Sequence, residues 1–178
     1  DRDLSFLSVQ AKDRSIQLST DKQLEPINAD LDHLSKLTAL LWFRTNLDLI
    51  ENNQPVDEPI FIALADVIKK FPIELDHLRE LIFGMEDDLY AAKYERFEDL
   101  RQYCYRVAST VGLCLVEIYG YNDPNARRHA VEMGIYLQMV NVLRDIQEDL
   151  SRNRIYLPSE ELAKFGLSNK DLTSEELP

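Results

Sequence analysis

Glycine, proline and cysteine are all scarce in this chain, at 5, 7 and 2 of 178 residues. So few chain-turning residues exclude a many-stranded sheet, which needs a turn signal every few residues. Two cysteines exclude a disulfide framework. Cys104 and Cys114 fall inside one predicted helix, about 15 Å apart in rise and on different faces, and are expected to be unpaired and structural. No apolar run reaches the roughly 18 residues of a spanning helix, and the opening Asp1-Arg2-Asp3 does not read as a signal peptide. Basic charge is short as well. Twenty Lys and Arg against 32 Asp and Glu leave a net charge of -12, which excludes nucleic acid as a partner because phosphate neutralisation needs clustered cations. An anionic ligand must therefore be held through a metal ion or a local basic cluster.

What the chain has is helical periodicity. With 45% hydrophobic residues it can bury one core, and a single domain is expected. A helix is predicted from Asp30 to about Ile50, with Leu31, Leu34, Leu37, Leu41, Phe43, Leu47 and Ile50 inward and Asn52-Asn53-Gln54-Pro55 ending it. Pro59 opens a second, which Phe71-Pro72 stops. A third starts near Asp76, with Leu78, Leu81, Ile82, Met85 and Leu89 inward; a fourth runs over residues 97–119, its uncharged stretch Val107 to Val116 deeply buried. A fifth runs unbroken from Ala126 to Ser151, and a short one begins at Ser159 and closes at Phe165-Gly166, a C-cap signal. Residues 1–30 are polar and weakly periodic, with no single element predicted.

Two segments carry chemistry. At 100° per residue, Gln138, Asn141, Asp145, Glu148, Asp149 and Arg152 share one arc of the fifth helix, beside the apolar Met139, Leu143, Ile146 and Leu150. Asp145 and Asp149 are i and i+4, a like-charge pair that costs roughly 0.2–0.5 kcal/mol in an isolated helix. Mg²⁺ takes hard oxygen ligands and bridges carboxylates to phosphates, so such a stripe suits it. A solvated acidic surface balanced by Arg144 and Arg152 is the competing reading. In the second segment Tyr105, Ala108 and Gly112 share a helix face stripped of side-chain bulk. That space fits either a neighbouring helix backbone or a long apolar ligand.

Tyr103-Cys104-Tyr105-Arg106-Val107-Ala108-Ser109-Thr110-Val111-Gly112, and Gln138-Met139-Val140-Asn141-Val142-Leu143-Arg144-Asp145-Ile146-Gln147-Glu148-Asp149 followed by Arg154-Ile155-Tyr156-Leu157-Pro158, resemble the two signatures of the squalene/phytoene synthase family, in order. Gly84 to Leu89, Lys93-Tyr94 and, less clearly, Trp42 extend the resemblance over most of residues 42–166, closest in pattern to phytoene synthase. It implies an all-α isoprenoid-synthase bundle with a central cavity, here one domain over 1–178 incomplete at both ends. It implies head-to-head condensation of two prenyl diphosphates with Mg²⁺, or Mn²⁺ in its place. Geranylgeranyl diphosphate would give phytoene; the alternative is a squalene or dehydrosqualene synthase using farnesyl diphosphate, with NADPH needed only for squalene. Asp145 and Asp149, with Glu148, would be the second metal motif. Asn141 and Gln138 would line the site, Arg144 and Arg154 would lie near diphosphate, and Tyr105, Val107, Ala108 and Gly112 would shape the cavity. The cytoplasm or an organelle stroma, free or peripheral at a membrane, is the expected compartment. The resemblance leaves oligomeric state open.

The first aspartate-rich motif that the resemblance implies is degenerate or missing. Its nearest match is Thr20-Asp21-Lys22-Gln23-Leu24-Glu25, where Asp21 and Glu25 keep the i, i+4 spacing but Pro26 disfavours helix at Glu25. Asp87-Asp88 does not replace it, because Ala91 and Ala92 leave no carboxylate one turn on. A family relative that binds or assembles without catalysing is therefore the reading of another class.

Overall fold

The computed structural model describes residues 31–90 and 93–172, and all regular structure among them is helical. Asp21 and Glu25 lie outside the described residues. The elements are α1 (Leu31–Glu51), α2 (Pro59–Lys70), α3 (Leu75–Leu89), α4 (Phe97–Cys104), a π-helical turn (Tyr105–Ser109), α5 (Thr110–Tyr119), α6 (Ala126–Arg144), α7 (Ile146–Ser151), α8 (Ser159–Lys164) and α9 (Asn169–Leu172).

The predicted boundaries have local causes. Pro59 stands at the start of α2, where its missing N–H is no loss, and Pro72 forces Phe71 to an extended φ of -126° and ψ of 143°, ending that helix. After α1, Asn53 turns left-handed at φ 52°. Its N–H bonds to Ile50 O, and that of Gln54 bonds to Leu49 O, the paired bonds of a Schellman cap. Gly166, at φ 72°, does the same after α8 through Ala163 O and Leu162 O. Cys104 and Cys114 are free, and burial pushes the fully enclosed Cys104 thiol up to about 11.

Helices α4 and α5 and the π turn between them form one central rod, with α3 and α6 packed on it. One core cluster joins Leu100, Tyr103 and Cys104 of the rod to Ile135 and Val142 of α6 and to Tyr94. The other joins Leu40 and Leu47 of α1 to Ile82 of α3. Trp42, Phe43 and Phe61 pack edge to face where α1 meets α2.

Several inward assignments change. In α1 the buried residues are Leu40, Asn46 and Leu47, whereas Leu31 and Leu34 are exposed. A helix with apolar residues all round carries two candidate stripes, and packing against α3 selects the one through Leu40 and Leu47. Met85 of α3 is likewise exposed. The uncharged run is buried on one side only: Ser109, Thr110 and Leu113 are enclosed, while Val111 and Leu115 face outward.

The π turn fits because both neighbours are bare opposite it. Its wider backbone closes with Thr110 N–H on Tyr105 O, five residues back. A Cβ built at Gly84 of α3 would fall 2.5 Å from Val107 Cγ1, and one at Gly134 of α6 would fall 2.5 Å from Ser109 Cα. Ser109 Oγ also donates to Val131 O at 2.7 Å, which satisfies a hydroxyl with no exposed surface.

Candidate site at the end of helix α6

The fifth predicted helix does not run unbroken to Ser151. It stops at Arg144, and Asp145 leaves helical geometry at φ -98°, ψ 12° before α7 resumes at Ile146. Adjacent residues on an intact helix do not face each other. At this break they do: Arg144 Nε and Nη2 donate to Asp145 Oδ1 and Oδ2, both at 2.6 Å. The Arg144 guanidinium holds the Asp145 carboxyl below its ordinary value.

Asp149, one turn on, has the opposite environment. Burial first, then the Asp145 and Glu148 charges, push its carboxyl up, against the pull of Arg154 and Arg152. A third Schellman pair places Arg154 beside it. Asn153, at φ 58°, donates its N–H to Leu150 O, and Arg154 N–H bonds to Asp149 O at 2.8 Å. Glu148 pairs with Arg152 across one turn, both side chains 59% exposed, and its charge also acts on Asp149.

Upstream on α6, Asn141 Nδ2 donates to Gln138 Oε1 at 3.3 Å, and both residues are half-buried. Oxygen donors from Gln138, Asn141, Asp145 and Asp149 are hard ligands of the kind Mg²⁺ takes, so the donor set fits that ion. Among the described residues no three acidic, histidine or cysteine side chains converge into a ready-made metal cage. One helix end therefore supplies part of a shell only.

The rod residues are placed differently from the expectation of a bare channel face. A Cβ at Gly112 would meet Ala130 O of α6 at 3.3 Å, so the missing bulk there admits a neighbouring helix. Val107 wedges against Gly84 and the core cluster. Ala108 is half-buried. Tyr105 is half-buried too, its phenol raised by burial, then by Glu80 and Glu74, with Arg127 opposing. Beneath it Arg127 bonds Glu74 and Glu117, the latter carboxylate only 6% exposed.

Asp87 and Asp88 make contacts within the fold. Asp87 and Glu80 clamp Arg106 of the π turn at 2.9 and 3.0 Å. Asp88 accepts the Tyr156 hydroxyl at 2.7 Å, which ties the Arg154–Pro158 stretch to α3. Tyr156 stacks on Tyr94 and Tyr103, and burial pushes its phenol up to about 12. Sequence reasoning missed Arg106, Gly84 and Gly134 as determinants of this geometry. A glycine inside a helix costs roughly 1 kcal/mol against alanine, and that cost was the available signal.

Two expected results follow here. Valine in place of Asn153 should cost about 1–2 kcal/mol, since a β-branched residue resists the left-handed conformation, whereas Asn153→Gly should be nearly neutral; urea denaturation reads both. In a carboxyl-detected NMR titration, Asp149 should titrate above and Asp145 below the ordinary 3.8. With its value lowered, Asp145 contributes stability above its unfolded value and loses it as pH falls through the folded one. Asp149, with its value raised, favours the fold below its unfolded value and loses that contribution as pH rises.

The squalene/phytoene synthase family model matches residues 20–178. Phytoene synthase 1, chloroplastic, of Arabidopsis thaliana is 37% identical over 160 residues, covering 86% of this chain and 37% of the plant protein. The 15-cis-phytoene synthase of Synechococcus elongatus is 37% identical over 165 residues, covering 86% and 52%. Squalene synthase HpnC from Alicyclobacillus acidocaldarius superposes with a TM-score of 0.71 at 29% identity, over 76% of this chain and 51% of that one. A dehydrosqualene synthase in complex with ligand gives 0.74 at 27% identity, over 83% and 52%. The chain thus spans between about a third and a half of these relatives' lengths. No helix among the described residues is long and apolar enough to cross a membrane. With both signatures in order, a helical bundle shared with two solved synthases and a match over nearly its whole length, the chain belongs to the squalene/phytoene synthase family.

Proposed function

We propose that this chain carries the second diphosphate-binding half of a head-to-head prenyl transferase, phytoene synthase-like and acting on geranylgeranyl diphosphate. The observation that supports it best is the geometry at the break, where the Arg144 fork holds Asp145 and, one turn on, the Arg154 charge acts on Asp149. A bound Mg²⁺ would stabilise the charge that develops on departing diphosphate. Asp145 and Asp149 would hold that ion, with Asn141 and Gln138 as further oxygen donors. Arg144 and Arg154 would bond phosphate oxygens directly. Leu137, exposed and one turn before Asn141, puts apolar surface beside the polar stripe, where the first methylenes of a prenyl tail would lie.

The degenerate Asp21/Glu25 pair predicts that condensation, which must orient two substrates, is weaker than binding of one. The chain should bind geranylgeranyl diphosphate in a Mg²⁺-dependent manner, with at least a roughly tenfold loss in Asp145→Ala, the scale of one charge-assisted ligand. Affinity unchanged by that substitution and by chelation would make the stripe a solvated surface. The likeness to a squalene and a dehydrosqualene synthase structure supports farnesyl diphosphate as the second candidate substrate. Parallel titrations with both diphosphates, and product analysis with and without NADPH, decide between them.

A further inference from the structure

We infer that Arg144 is an internal counter-ion that closes Asp145 while no cation is bound, so that metal and diphosphate bind this site in concert. This rests on the reading of Asp145 as a metal ligand and adds a regulation of that site. The Arg144 fork takes both oxygens of the Asp145 carboxylate, and a cation approaching Asp145 must displace it. Neighbours in an intact helix could not make this contact. It exists because Asp145 sits in the break between α6 and α7, the same break that aims the carboxylate.

Neither of the other guanidinium groups nearby is held against Asp145: Arg152 is paired with Glu148, and the charge of Arg154 acts on Asp149. Arg144 has its side chain 66% exposed, so it can leave Asp145 without breaking the core. Once displaced, it stands one residue from the bound metal with its five donors free for an anion. A metal alone meets the closed fork, and an anion alone meets an Arg144 already neutralised by Asp145. When both bind, the metal takes the carboxylate and the anion takes the guanidinium. Thermodynamic linkage then requires each to tighten the other by the same factor.

The test uses the whole chain, Mn²⁺ as the cation probe followed by electron paramagnetic resonance, and inorganic pyrophosphate as the anion probe. Arg144→Gln should bind Mn²⁺ alone roughly fivefold more tightly than the parent chain, because one exposed counter-ion has been removed. At a fixed free Mn²⁺ concentration it should bind pyrophosphate roughly tenfold less tightly, the loss of one charge-assisted donor. Arg144→Lys, a point charge without the fork, should fall between on both measurements. Opposite signs from one substitution are not what a passive surface ion pair gives. If Arg144→Gln leaves Mn²⁺ affinity unchanged while the parent chain binds Mn²⁺ in an Asp145-dependent way, the counter-ion role is overturned and the metal site stands. Should neither chain bind Mn²⁺ with or without pyrophosphate, both the metal site and the counter-ion role fall.

Discussion

Replacing Gly134 by alanine is expected to destabilise the fold by about 2–3 kcal/mol, although the same change in a free helix gains roughly 1 kcal/mol. The new Cβ would fall 2.5 Å from Ser109 Cα, 2.6 Å from its backbone nitrogen and 2.8 Å from its Oγ. Two of these three atoms are backbone, and they belong to the π turn, which cannot move aside without opening the Ser109–Val131 bond. The neighbouring glycines set a scale. Alanine at Gly84 meets a side-chain methyl, Val107 Cγ1, at 2.5 Å, and should cost about 1 kcal/mol, since valine is stiff at χ1 but half-buried. Alanine at Gly112 meets Ala130, its O at 3.3 Å and its Cβ and carbonyl carbon at an ordinary 3.7 and 3.8 Å, and its propensity gain should leave it within about 0.5 kcal/mol of the parent. Urea midpoints should therefore rank Gly134→Ala lowest, then Gly84→Ala, then Gly112→Ala. An inverted ranking would mean that the rod and α6 are not in this close contact.

The order of those three glycines separates what was legible in the sequence from what was not. Local signals were readable: Pro59 and Pro72 bound α2, Asn52-Asn53 and Phe165-Gly166 end their helices, and Cys104 and Cys114 remain unpaired. Each of these follows from backbone sterics within a few residues. The family signatures were readable because their residues are contiguous. The buried stripe of α1 was not, because it depends on α3. The two readings of Gly112 could not be told apart for the same reason, since only the position of Ala130 shows what lies against it. The break at Asp145 had no glycine or proline to announce it. It appears where the Arg144 fork closes on its neighbour, a contact no periodicity describes.

A larger loss is expected from Arg127→Met, about 3 kcal/mol, and most of it should return in the double variant with Glu117→Gln. Arg127 joins three helices, reaching from the first turn of α6 to Glu117 on α5 and to Glu74 beside α3. The two carboxylates are not equivalent. Glu74 is 57% exposed, so its pair contributes little after screening by water. Glu117 is 6% exposed, and without Arg127 its charge stays in the bundle with no counter-ion, the situation that makes a broken buried pair costly. Methionine keeps the volume and the apolar stem, so packing loss is small. Neutral glutamine at 117 removes the stranded charge, which is why the second substitution should restore stability that the first took away. Glu74→Gln on the parent background should change stability by less than about 0.5 kcal/mol. Thermal and urea unfolding of the parent, Arg127→Met, Glu117→Gln and the double variant gives the coupling energy directly. If the double variant were no more stable than Arg127→Met alone, the loss would come from packing around the stem, and the pin beneath Tyr105 would be a contact of shape rather than of charge.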